Sequence, residues 1–322
     1  MPITRRTLLA GLGASAVTPA WAQAIRSQND PWAQVDPYDD PRNGFPAEGE
    51  WGGGNAPVHR NALAGNGSKA LLSAEEQNEV AAGRMAYPYR IKKLGGACSD
   101  PKLQQAIRDF CRPMFAVADR ANLPWVVTLV NERKENASAG PGGTVIVHAG
   151  IVAIFDSPYE LASVLGHEVG HVDCRHLSRG KDIGMLADIV RQQGITGMGD
   201  EAMTRLMPQV EGRVLDFMDL MEKKFSREDE EEADIHAIEI FDRLGIDPIL
   251  AASGMRKIMK LEQMSGGAAP NEWVTNHPLT PDRVVNIERA AALRRKPATN
   301  FTFPGWDVLK AAFPTPPEFK KT

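Results

Sequence analysis

Residues 157–172 read Ser157-Pro-Tyr-Glu-Leu-Ala-Ser-Val-Leu-Gly-His167-Glu168-Val-Gly-His171-Val172, and this stretch decides both the fold and the chemistry. Ser157 and Glu160 have the spacing of a capping box, and Pro158 sits at the first helical position, so a helix starts here. Histidines four residues apart fall about 40° from each other round a helix, so the His167 and His171 rings leave one face and can share a Zn²⁺. His-Glu-x-x-His on a helix is the pattern of two metal ligands with a glutamate as general base. From Leu161 to Val172 the one formal charge is Glu168. On the helical wheel it lies with Leu161, Val164, Leu165 and Val172, the apolar stripe. An unpaired carboxylate there costs several kcal/mol or titrates upward, a property that a base acting on zinc-bound water can use. The bland alternative is a solvated glutamate between two structural histidines.

A catalytic zinc normally has three protein ligands and one open position, so a third ligand is needed. His176 follows His171 by five residues, about 140° round an unbroken helix. Cys174 is so near along the same helix that tetrahedral closure is awkward. Both are set aside. In Ser226-Arg-Glu-Asp-Glu-Glu-Glu-Ala-Asp234, Glu230 and Asp234 are four apart and share a helix face. Glu230 can supply a ligand oxygen while Asp234 holds a ligand histidine through its second nitrogen, fixing its tautomer. The other acids of the run, Glu228, Asp229, Glu231 and Glu232, read as a solvated face.

Around these motifs, Ser73-x-x-Glu76 opens a helix to about Met85, and Asp100-Pro101 opens an amphipathic helix to about Arg120. Trp125–Val130 and Thr144–Val147 are β-branched runs that predict paired strands in one small sheet. Further helices are expected at Ser157–Ser178, in the Met203–Met221 region, and at Glu228–Leu244, Pro248–Met264 and Pro281–Leu293, the last capped by Thr280. Many helices beside a few adjacent strands give an α+β class. Gly142 and Gly143 are expected to leave a strand edge unshielded, so an extended substrate should add along Thr144, Val145 and Ile146.

The 322 residues, 43% of them hydrophobic, suffice for a substantial core. With 37 basic and 41 acidic residues there is no basic field for nucleic acid. Beyond the N-terminus no apolar run reaches the roughly 20 residues of a membrane span. Residues 1–22 carry Arg5-Arg6, a mild apolar run and Ala20-Trp21-Ala22, the pattern of a twin-arginine export signal with its cleavage site. Residues 23–70 are Pro- and Gly-rich and read as an extended or disordered leader, residues 71–294 as the folded domain, and 295–322 as a Pro-rich tail. Cys98, Cys111 and Cys174 are too few for a disulfide scaffold, and buried free thiols are favoured over a Cys98–Cys111 bridge.

The segments HEVGHV, SREDEEEAD and His277-Pro-Leu-Thr-Pro-Asp-Arg283, in this order, resemble the HtpX and CAAX-prenyl-protease superfamily of zinc metallopeptidases, which shows HExxH, ExxxD and HPxxxxR. The likeness runs from about Leu71 to Ala291 and includes Pro141-Gly142-Gly143. Two departures stand out: Asn136-Ala-Ser-Ala-Gly140 lacks the usual aromatic, and HtpX's membrane helices are missing. The chain is more similar to the soluble periplasmic quality-control branch, without the tetratricopeptide repeats that some members carry. The resemblance implies a mostly helical gluzincin-type domain with a small sheet beside the HExxH helix, one Zn²⁺, and His167, His171 and Glu230 as ligands. By family position His277 would donate to the oxyanion, or alternatively take the open zinc position in a latent enzyme. Arg283 would brace the substrate or the metal-site carboxylates. The plain alternative makes His277 a turn residue and Arg283 a surface one. The leading expectation is a periplasmic endopeptidase for unfolded or misfolded polypeptides. A zinc-stabilised holdase using the stripe Met203, Met207, Met218 and Met221 is the binding-class alternative, and a third is an unrelated hydrolase using HExxH.

Overall fold

The computed structural model describes residues 72–178, 212, 225–265, 272–297 and 301–316. The export signal, the leader and, apart from residue 212, the helix expected in the Met203–Met221 region lie outside them. Ser73 closes a capping box with Glu76 to open α1 (Ala74–Lys93), which continues past Met85 and through Pro88. Asp100 caps α2 (Pro101–Val117). Then follow β1 (Val126–Val130), β2 (Ala137–Gly140), a 3-10 turn (Pro141–Gly143), β3 (Thr144–His148) and α3 (Ala149–Ile154). The metal-motif helix is α4 (Pro158–Asp173), and the acidic run forms α5 (Arg227–Arg243). A 3-10 turn (Pro248–Ala252) leads into α6 (Ser253–Ser265), α7 (Glu272–Asn276), α8 (Pro281–Ala292) and α9 (Trp306–Ala312). The class is α+β, with one three-stranded sheet of order β1-β3-β2.

β3 is the central strand. It pairs parallel with β1, Val126 opposite Thr144, and antiparallel with β2, Ser138 opposite Ile146. The expectation that substrate adds along Thr144, Val145 and Ile146 is therefore corrected: both sides of that strand are already hydrogen-bonded, and its five residues are buried. Gly142 and Gly143 do not expose an edge either. Gly142 has φ 70°, and a Cβ on it would stand 2.5 Å from Val80 Cα, so glycine here lets the turn lie against α1. Glu79 of α1 accepts a hydrogen bond from the Gly142 N–H (3.2 Å) and pairs with buried Arg120, tying helix to turn.

The core gathers α2, the sheet, α4 and α5 around Phe110, Leu129, Phe155, Leu161, Val164 and Phe241. α4 and α5 approach closely because Gly170 has no side chain: a Cβ there would meet Ala233 O at 2.9 Å. The stretch expected to be a Pro-rich tail packs onto this core. Phe303 is buried and stacks on Phe110 (centroids 4.8 Å apart), Leu309 of α9 is buried, and Tyr159 donates to Phe301 O at 2.8 Å. Cys98, Cys111 and Cys174 are all free thiols. Among the described residues no helix is long and apolar enough to cross a membrane.

Candidate metal centre

Three elements converge on the face of α4 that carries His167 and His171. α5 brings Glu230 and Asp234, the loop after α7 brings His277, and α8 brings Arg283. All six side chains are buried. The His167 and His171 Nε2 atoms are 3.0 Å apart, and each lies 3.3 Å from His277 Nδ1. Glu230 Oε1 is 2.9 Å from His277 Nδ1 and 3.6 Å from His171 Nε2, and Oε2 is 3.4 Å from His167 Nε2. Four ligands at zinc bond lengths of about 2.0–2.1 Å in a tetrahedron stand about 3.3 Å from one another. The observed spacings bracket that value. Three imidazoles and one carboxylate are a borderline-soft donor set of the kind zinc takes, so His167, His171, Glu230 and His277 fit the ion.

The remaining residues hold this set in place. His167 Nδ1 is 2.8 Å from Asp234 Oδ1, the carboxylate-histidine support expected behind a metal ligand. Arg283 grips Asp234 with two donors, Nε to Oδ2 (2.8 Å) and Nη2 to Oδ1 (2.7 Å), and its Nη1 reaches Glu230 Oε2 at 2.8 Å. Of the roles expected for Arg283, bracing the metal-site carboxylates is the one its contacts match. Burial alone would depress the His167 pKa, but Asp234 and Glu230 outweigh it and hold it at about 9. Burial, followed by the neighbouring His167 and His277 charges, pushes His171 well below its ordinary value. Glu230 resists burial because His167 and His277 keep its carboxyl far down.

Glu168 is 1% exposed, yet it is not the unpaired carboxylate that the wheel suggested. Oε2 accepts from the Ala139 N–H of β2 (2.8 Å), and Oε1 from Trp273 Nε1–H (3.0 Å). Trp273 also stacks on His277, centroids 4.9 Å apart. Neither Ala139 nor Trp273 was foreseen: a backbone donor leaves no mark on residue type, and Trp273 follows a Gly-Gly-Ala-Ala-Pro stretch that reads as loop. His277 faces Glu168 as well, Nε2 3.4 Å from Oε1. His176, set aside on helical geometry, contacts the site after all, its Nδ1 2.9 Å from His171 Nδ1. Of the acids read as a solvated face, Glu232 is an exception: its Oε2 is 3.0 Å from His176 Nε2.

Residues 100–291 match the family described as Peptidase family M48. The chain is 27% identical over 216 residues to the Beta-barrel assembly-enhancing protease of Escherichia coli (strain K12), an alignment covering 63% of this chain and 42% of that one. It is 29% identical over 182 residues to the Mitochondrial metalloendopeptidase OMA1 of Arabidopsis thaliana, covering 56% and 34%. It is also similar to the Metalloprotease LoiP of Escherichia coli (strain K12), 26% over 157 residues, covering 47% and 57%. The chain thus spans less than half the length of the first two relatives.

Proposed function

The chain belongs to peptidase family M48, and on that premise we propose that it is a zinc-dependent endopeptidase that cleaves unfolded or misfolded polypeptides in the periplasm. The observation that carries this reading is the convergence of four buried ligand atoms at tetrahedral spacing beside a carboxylate held by the Ala139 and Trp273 N–H groups. Bound zinc supplies Lewis acidity toward water and toward the scissile carbonyl. The chain does the rest. Glu168 takes the proton from the attacking water and passes it to the leaving amine nitrogen. The Ala139 and Trp273 N–H groups fix both of its oxygens, so it does not swing away. Arg283 balances Glu230 and Asp234, which keeps His167 oriented while Glu230 stays ionised.

The edge of the sheet beside α4 supports the choice of unfolded substrates. β2 is the edge strand next to α4, and the Ala139 N–H that meets Glu168 belongs to it. An extended peptide running alongside β2 would cross the catalytic carboxylate, where Ala139 already gives its N–H to Glu168 and its carbonyl to Arg90, and a folded chain has no such extended segment to offer. The periplasmic location rests on the Arg5-Arg6 signal and its cleavage site. Purified protein starting at Gln23 should contain one zinc per chain and degrade denatured casein. A chelator should stop this, and a tightly folded protein should survive. Equal cutting of a folded protein and its denatured form would refute the substrate class, and undiminished cutting after metal removal would refute the enzyme class.

Of the two roles for His277, its distances favour that of fourth ligand in a resting enzyme, since Nδ1 stands among the other ligand atoms. Substrate would then displace the ring. His277→Ala should retain zinc on three ligands and raise basal casein hydrolysis severalfold; a fall in kcat with zinc retained would instead assign His277 to the oxyanion.

A further inference from the structure

The end of α4 departs from regular geometry directly beneath a ligand. Arg175 has φ 61°, the left-handed region, and is the one non-glycine residue there among the described residues. The Arg175 N–H donates to Val172 O and the His176 N–H to His171 O, each at 3.0 Å. This pair of bonds is the Schellman ending, in which the left-handed position is normally glycine. The turn brings His176 back under the helix. Its side chain is fully buried, with Nδ1 2.9 Å from His171 Nδ1 and Nε2 3.0 Å from Glu232 Oε2. Asp229 Oδ1 stands further off, at 3.6 Å.

The protons can be placed uniquely. His171 Nε2 points at the ligand cluster. If it binds metal, its proton sits on Nδ1 and must be donated. His176 Nδ1 is then the acceptor, which puts the His176 proton on Nε2, where the Glu232 carboxylate accepts it. Every ring nitrogen is used, and the chain runs from the ligand to a carboxylate whose side chain is 47% exposed. His167 is supported differently, by buried Asp234 directly.

Resting on the zinc reading above, we propose that His176 is a positioning residue for the ligand His171, fixing its tautomer and ring plane through the Nδ1–Nδ1 hydrogen bond, with Glu232 as anchor of the relay. Cys174, His176 and Glu232 have ligand atoms within 4.8 Å of one another and could hold a second cation. The relay is favoured because both His176 nitrogens already have partners.

The test is zinc affinity of the metal-free protein starting at Gln23, measured by competition with a chelator of known strength, alongside the absorption spectrum of the Co²⁺ form. His176→Leu, which fills the space without an acceptor, should weaken zinc 10- to 100-fold and alter the Co²⁺ bands. His176→Asn, which restores an acceptor oxygen near the Nδ1 position, should recover affinity to within about threefold of the parent. Melting curves of the metal-free forms identify a variant that fails to fold, and the comparison then rests on His176→Asn against His176→Gly. Equal affinity for the acceptor and non-acceptor variants would overturn the relay. So would two zinc equivalents in the parent with the second lost in Cys174→Ser, which would make His176 a ligand in its own right. A parent protein that binds no zinc at all would overturn the metal reading itself.

Discussion

The two walls that meet at α4 are built from opposite materials. Toward α5 and α8 the contacts are ionic and interlocked: Glu230 and Asp234 are both held by Arg283, and His167 is held by Asp234. Toward the sheet and α7 the contacts on Glu168 are single hydrogen bonds from one backbone N–H and one indole N–H, with the His277 ring 3.4 Å away. Charge explains the difference. A divalent ion and Arg283 together offset Glu230, Asp234 and Glu168, leaving the buried cluster neutral when neutral histidines are the remaining ligands. The N–H donors on Glu168 orient the carboxylate without supplying a counter-charge. On the proposed function, the ionic wall would hold the metal and the wall of single hydrogen bonds the base.

The sharpest way to break the comparison is to exchange effects between the walls. Glu230→Ala should lose zinc and, with it, all turnover, because it removes a ligand and leaves buried Arg283 with Asp234 as its one carboxylate partner. Full zinc occupancy in that variant, read by atomic absorption, would show that the ionic wall is not the metal wall. Glu168→Gln should behave oppositely: zinc content unchanged and casein turnover down by about 10²- to 10⁴-fold, the usual range for a lost general base. Loss of zinc from Glu168→Gln would dissolve the distinction.

A smaller effect sharpens it. Trp273→Phe keeps the ring that stacks on His277 but removes the donor on Glu168 Oε1. A hydrogen bond to a charged group contributes about 1.5–3 kcal/mol, so kcat should fall about 10- to 100-fold while zinc stays bound. A rise in KM with kcat unchanged would place Trp273 in substrate binding and not in holding the base.

What the sequence revealed follows from how local each determinant is. The capping boxes at Ser73 and Ser157 and the HExxH and ExxxD spacings act within one or two turns, so residue type and interval disclose them. β2 was missed because Ala137-Ser-Ala-Gly140 has no β-branched residue; it is a strand by virtue of pairing with β3, a tertiary cause. Thr144–Val147 was correctly read as a strand, but its rank in the sheet depended on that missed neighbour. His176 was discounted because the angle was counted along an unbroken helix, and nothing in Cys-Arg-His announces that Arg175 goes left-handed. The prolines near the C-terminus concealed Phe303 and the short helix α9, whose Trp306 and Leu309 pack with Phe313 onto the core.

That C-terminal segment yields the smallest predicted effect, and it concerns the approach to α4 rather than its active face. Asp156, just before the Ser157 cap, accepts from Lys257 Nζ at 2.8 Å and from Thr315 Oγ1 at 2.6 Å, and Lys310 Nζ reaches Thr315 Oγ1 and Ala153 O. Burial would raise the Asp156 pKa, but the hydrogen bonds from Lys257 and Thr315 and the nearby lysine charges outweigh it and bring it below the ordinary value. A carboxyl depressed in the folded state contributes stability above its unfolded pKa of about 4 and loses it as pH falls through the lower folded value. Its side chain is 49% exposed, so solvent screens the ion pair, and the contribution should not exceed about 1 kcal/mol. Asp156→Asn should therefore lower the urea midpoint slightly at pH 7, and the gap from the parent should close as the pH is taken below about 4. Zinc content and casein turnover should stay as they were, since the clamp lies at the opposite end of α4 from the ligands. A loss of zinc in Asp156→Asn would mean that the C-terminal segment supports the metal site, and the division of α4 into a docked start and a catalytic end would fail.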